Sequence, residues 1–194
     1  EIGGAISVTG NTFTELGIGI VDCTGAATID DNDLTIGAST GYGVSVGGSA
    51  AVTVSSCTVN CGGGASGILA GATNGGVTVD GCSIIAPTMA IFAGEADVTA
   101  DNNSMVTGLI TIAGGSLHFA NNTCSGVQII DDYAEPGLQN DPVADNDGVL
   151  PGMVMTRMDW DGNGCCDYPP EWNVQDEHGA CAVCTGVGGK ADWR

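Results

Sequence analysis

Basic side chains are almost missing from this chain: three Lys and Arg stand against 23 Asp and Glu, a formal charge of −20 over 194 residues. With so little positive charge to neutralise phosphates, neither nucleic acid nor an anionic membrane surface is an expected partner. Divalent cations are the natural counter-ions. Long apolar runs are missing too. None approaches the about 18 residues that mark a membrane-spanning helix, so no insertion into a bilayer is expected. An initiator Met and a signal-like leader are also absent; the chain starts at Glu1, which reads as a processed product or a fragment.

What is abundant is glycine, 33 residues of it, and one stretch that recurs. Val77–Ile84 reads Val-Thr-Val-Asp-Gly-Cys-Ser-Ile, and Ile6–Phe13, Ala27–Leu34, Val52–Val59, Val98–Met105 and Leu117–Cys124 align with it. The sixth slot holds Asn11, Asn32, Cys57, Cys82, Asn103 and Asn122, at spacings of 21, 25, 25, 21 and 19 residues, which is a solenoid period. Alternation such as Val77-Thr78-Val79 turns two side chains inward and one outward, the period of a strand. A second short apolar strand follows in each unit, at 18–21, 44–46, 68–70, 90–92, 109–112 and 127–130, across Gly-rich connections. No unit can bury its apolar face alone. Stacking at about 4.8 Å pairs the backbone of each coil with its neighbours and closes a common core. The sixth-slot residues then form a ladder inside a turn.

This strand-turn-Asn pattern resembles the right-handed parallel β-helix family of pectate lyases, phage tailspikes and many secreted surface proteins. The resemblance spans about residues 5–130 and implies an all-β fold, a solenoid of about six coils. It says little about function, because the same solenoid carries lyases, hydrolases, adhesins and inert stalks. The family's lyases use Arg or Lys beside carboxylate-bound calcium, and its hydrolases pair Asp with His and a basic cluster. Here Arg157, Lys190 and Arg194 all lie beyond the repeats, and His118 is the only His within them. The Asp30-Asp31 pair and Asp33 lack a base or electrophilic partner. No enzymatic activity is expected.

The outward column Ser7, Thr28, Thr53, Thr78, Thr99, His118 is followed two residues on by Thr9, Asp30, Ser55, Asp80, Asp101, Ala120. It resembles the Thr-x-Thr arrays of ice-binding solenoids only in half, and reads first as a solvated face. Cys57 and Cys82 share a slot one coil apart, where parallel side chains suit a disulfide poorly and a stack of free thiols is as good a reading. Ahead of the first coil, Glu1–Ala5 offers no cap, so that end is expected to be covered by a removed segment or by a neighbouring subunit. A contact of that kind builds filaments when it does not close.

Three regions are expected: a parallel β-helix over 1–130, an acidic Pro-containing linker over 131–152, and a small irregular Cys-rich calcium-binding tail over 153–194. The tail holds all three Trp and all three basic residues. In Asp159-Trp160-Asp161-Gly162-Asn163-Gly164-Cys165-Cys166-Asp167, oxygen ligands fall at the spacing that wraps calcium: Asp159, Asp161, Asn163, the Cys165 carbonyl and Asp167. The loop resembles those of EF-hands and thrombospondin type 3 repeats. Pro170 stands where the bidentate Glu belongs and Glu171 follows it, so a calcium loop without an ordinary exiting helix is expected. Cys165, Cys166, Cys181 and Cys184 read as two local disulfides, with a four-Cys zinc site as runner-up.

Nine Cys in a Gly-rich acidic chain point to an oxidising setting, extracellular or on the cell surface. The expected role is structural: a self-assembling subunit of a filament, stalk or surface layer, its partner a second copy, stabilised by calcium and disulfides. The alternatives are an adhesive module that binds glycans through Trp160, Trp172 and Trp193, and a polysaccharide-degrading relic.

Overall fold

A computed structural model describes residues 4–37, 41–48, 50–73, 75–131, 137–150 and 153–156. Among them every strand pairing is parallel, and the chain winds into an all-β solenoid of six full coils. Coil one holds β1 (Ile6–Thr9), β2 (Thr12–Thr14) and β3 (Ile18–Val21). Coil two holds β4 (Ala27–Asp30), β5 (Asp33–Ile36) and β6 (Tyr42–Gly47). Coil three holds β7 (Val52–Ser55), β8 (Thr58–Cys61) and β9 (Ser66–Ala70), and coil four β10 (Val77–Asp80), β11 (Ser83–Ile85) and β12 (Met89–Ala93). In coils five and six, β13 (Asp97–Asp101) and β15 (Ser116–Ala120) are each followed by one long strand, β14 (Ser104–Ile112) and β16 (Thr123–Asp131). β17 (Val154–Thr156) adds to β16.

The wall therefore has three strand ladders where the sequence suggests two. The first is β1-β4-β7-β10-β13-β15. The second, β2-β5-β8-β11, and the third, β3-β6-β9-β12, stay separate until β14 and β16 run through both. The second ladder is hard to see in sequence because its strands are only three or four residues long and send one side chain inward, or two in β5 and β8. Phe13, Leu34, Val59, Ile84, Met105 and Cys124 form that column, flanked by outward polar residues.

Register follows the repeat. Ile29, Val54 and Val79 stack as core neighbours, as do Ile68, Ile91, Ile110 and Ile129. All seven are buried, and each such side chain contributes about 1.5–3 kcal/mol of transfer free energy. Branched aliphatics suit the slot because a stiff side chain on a pleated wall packs against its like one coil away.

Residues 137–150, within the stretch read as linker, lie on coil six. Leu138 bridges to Leu117 and Asp147 to Thr123. Asp131 sits in the core column of Ile20, Val46, Ala70, Ala93 and Ile112. Its carboxylate accepts the N–H groups of Gly137 at 2.9 Å and Leu138 at 3.1 Å, tying the start of 137–150 to coil six.

Candidate functional site

The most organised feature is the corner between the first and second ladders. Its fifth-slot residues, Gly10, Asp31, Ser56, Gly81, Asn102 and Asn121, all adopt positive φ, between 52° and 69°. This left-handed conformation is open to Gly and tolerated by Asn and Asp, which accounts for the residue types at the slot except Ser56. Each corner amide donates to the next coil, as in Gly10 N–H to the Asp30 carbonyl at 3.1 Å and Asn121 N–H to the Asp145 carbonyl at 2.7 Å. The turn throws the sixth side chain inside.

There the ladder forms. Asn32 Oδ1 accepts both the backbone N–H and the side-chain amide of Asn11, at 3.0 and 3.1 Å. Asn122 Oδ1 does the same for Asn103, at 2.8 and 2.9 Å. Each Asn returns its own Nδ2 to a third-slot carbonyl of the coil before: Asn32 to Val8, Asn103 to Val79, Asn122 to Ala100. Asn146, 24 residues past Asn122, continues the series: its Oδ1 accepts the Asn122 N–H and Nδ2 at 2.9 and 2.7 Å, and its Nδ2 reaches the Phe119 carbonyl at 2.7 Å. The ladder thus has a rung beyond the repeat. The spacing is the signal that could have found it.

The two Cys rungs copy the pattern with sulfur. The Cys57 thiol donates to the Ser55 and Ile29 carbonyls at 3.1 and 3.6 Å, and the Cys82 thiol to those of Asp80 and Val54 at 3.5 and 3.6 Å. The Asn32 backbone and side chain donate to the Cys57 sulfur, and the Cys57 N–H to the Cys82 sulfur. The Cys82 thiol beside it holds Cys57 below the ordinary thiol range, at about 6, while the same contact and burial drive Cys82 up. Burial pushes Cys61 up as well, and burial followed by the nearby Asp147 raises Cys124 to about 11. Cys57, Cys61, Cys82 and Cys124 are buried free thiols and Cys23 is buried too; among the described residues no disulfide forms.

The outward columns pair in the register expected of them: Ser7 with Thr28, Thr28 with Thr53, Thr53 with Thr78, Thr78 with Thr99, and Thr99 with His118. Some of their polar groups pair, while Asp101 Oδ1 has no hydrogen-bond partner among the described residues. Ser55 Oγ donates to Asp30 at 2.7 Å, Asn102 Nδ2 to Asp80 at 2.8 Å, and His118 Nε2 lies 3.7 Å from an Asp101 carboxylate oxygen. Among the described residues no group of three or more His, Cys, Asp or Glu is placed to hold a metal ion. No described helix is long and apolar enough to cross a membrane.

The two ends of the solenoid differ. At coil one, the inward residues Ile6, Val8 and Phe13 are only half-buried, and Leu16 and Val21 are 65% and 59% exposed. Past coil six, Asn140 substitutes for a neighbouring strand: its side-chain oxygen accepts the Phe119 N–H and its amide donates to the Phe119 carbonyl, both at 2.8 Å. Asp141 then caps a tight turn by accepting the Val143 and Ala144 N–H groups at 2.9 and 3.3 Å.

The loop residues Asp159, Asp161, Asn163, Cys165, Asp167 and Glu171, and the cysteines Cys165, Cys166, Cys181 and Cys184, lie outside the described residues. Comparison with protein-family models, with curated proteins and with solved structures finds no match.

Proposed function

We propose that this protein is a non-catalytic structural subunit that assembles with copies of itself, working outside the cell or on its surface. The observation that carries this reading is the coil-one face. Its core-slot residues Ile6, Val8 and Phe13 are half-buried where their counterparts Ala27, Ile29 and Leu34 are closed off. A coil from a neighbouring copy would complete that core and pair the free edges of β1, β2 and β3, as each coil does for the next. Charge opposes the contact. Copies carrying −20 each repel, so assembly calls for divalent counter-ions, and the tail loop at Asp159–Asp167 is where calcium would bind most specifically.

The test is light scattering and electron microscopy of the purified full chain, with calcium and after chelation. Assemblies that form with calcium, and that Phe13→Lys prevents without changing the circular dichroism spectrum, are expected. A monomer under both conditions would overturn the reading.

A further inference from the structure

Two neighbouring rungs of the ladder are sulfur. Cys57 and Cys82 lie in consecutive coils and in register, since Ser55 pairs with Asp80 just before them and Thr58 with Ser83 just after. Both side chains enter the same corner and are 1% and 2% exposed. A packing role alone would be met by any small apolar residue. It does not account for two adjacent rungs where a backbone N–H of the coil before, that of Asn32 for Cys57 and that of Cys57 for Cys82, points at sulfur. Asn32 Nδ2 stands 3.9 Å from the Cys57 sulfur. A thiol is a weak acceptor for such donors; a thiolate is a strong one.

We propose that Cys57 and Cys82 form a two-coordinate site for a soft univalent cation, copper(I), held between consecutive coils. Spacing favours this over a disulfide. Stacked strands keep equivalent residues about 4.8 Å apart, whereas a disulfide needs Cβ atoms about 3.5–4.5 Å apart. A cation at about 2.3 Å from each of two sulfurs spans about 4.6 Å, the repeat of the solenoid itself. The number of donors selects the metal. Thiolates prefer soft ions, zinc wants four ligands, and no cluster of three or more His, Cys, Asp or Glu exists among the described residues. Binding forms two metal–sulfur bonds and releases both thiol protons to water; no electron is transferred. Entry needs only the solvent-exposed corner at Ser56 and Gly81 to open.

The full-length, reduced protein is titrated with copper(I) without oxygen, against a competing chromogenic copper(I) chelator. It is compared with the double variant Cys57→Asn/Cys82→Asn, which restores the side chain that the other rungs use. All other cysteines, the tail's included, are common to both proteins. The expected result is one more copper retained per chain by the parent, with a copper-dependent rise in its melting temperature that the variant lacks. Cys57→Ser alone, whose hydroxyl can still donate to the Ser55 carbonyl, is expected to lose the same equivalent, and it serves if the double variant does not fold. Equal copper in the parent and a folded variant would overturn the proposal. So would recovery of the parent pair as a Cys57–Cys82 disulfide after exposure to copper(I).

Discussion

Replacing Asn122 by Ala tests whether the ladder holds the solenoid together or merely fills it. Asn122 is 1% exposed, and its Oδ1 accepts two donors from Asn103, the backbone N–H at 2.8 Å and Nδ2 at 2.9 Å. Ala removes that acceptor and also takes a donor from the Ala100 carbonyl. Each buried donor left unpaired costs about 1–3 kcal/mol. Asn103 Nδ2 keeps its bond to the Val79 carbonyl, so the lower half of the range is the better guide. A loss of about 3 kcal/mol is expected, or about 6–12 °C in melting temperature for a chain of this size. Asn122→Cys should cost less, because a thiol at this slot reaches the same carbonyl, as Cys57 and Cys82 do at rungs three and four. Asn122→Asp should cost at least as much as Ala. It keeps the acceptors for Asn103 but turns a buried carboxylate onto the Ala100 carbonyl and Asn146 Oδ1. Urea unfolding followed by circular dichroism, with the slope checked for constancy, gives the three values. An Ala cost under about 1 kcal/mol, or a Cys variant as damaged as the Ala one, would refute the ladder's role.

Gly81→Ala and Gly108→Ala separate two uses of glycine. At Gly81, φ is 62° and a new Cβ meets nothing within 4 Å, so only the left-handed penalty of about 1–2 kcal/mol applies. At Gly108, φ is 132° and the Cβ would lie 2.4 Å from the Ala86 carbonyl, so urea unfolding should show a much larger loss or no folded protein. Asn146→Ala should lower the melting temperature, since it strips the acceptor from the Asn122 N–H and Nδ2, and should open 137–150 to limited proteolysis, since this rung ties that segment to Asn122 and Phe119. Alkali should weaken the fold. Burial raises the Cys61 and Cys124 thiols, the latter to about 11, so the folded protein keeps protons that the unfolded chain gives up from about pH 8.5. Their contribution is whole below that pH, and the share of Cys124 is lost as pH climbs to about 11. Cys124→Ala should flatten the decline, read as melting temperature against pH.

The parts of the fold visible in sequence are those where one side chain has to repeat. Val52, Val77 and Val98 face one core, Thr53, Thr78 and Thr99 face solvent, and both columns pair as the alternation predicts. The sixth slot was equally legible, because a left-handed corner that sends a polar group inside leaves few choices beyond Asn. The second ladder was hidden for a physical reason: strands of three or four residues with one or two inward side chains give too short an alternation to detect. Asn146 was hidden differently. The five residues before it, Asp141 to Asp145, form a capped turn where other coils have a strand, so the apolar alternation used to align the repeats is missing. The tail motif, sharp as a sequence, has no counterpart among the described residues against which its spacing can be compared.

The contrast between the two ends bears on what kind of assembly to look for. Past coil six, the first ladder is already covered: the Gly137 and Gln139 backbone pairs with Leu117, Asn140 takes both backbone groups of Phe119, and Asp141 closes the turn that follows. A neighbour's β1 cannot add there without displacing those bonds. Among the described residues no such obstruction stands at the coil-one edge, which offers half-buried Ile6, Val8 and Phe13. Two copies meeting through that edge would therefore pair with each other and close, as an isologous contact does, and a dimer would be the first product. Growth into a filament would then need a second contact away from the first ladder. Phe13→Lys separates the two steps: if it abolishes the dimer and every larger species together, the coil-one contact comes first, and if large assemblies survive it, they are built through another surface.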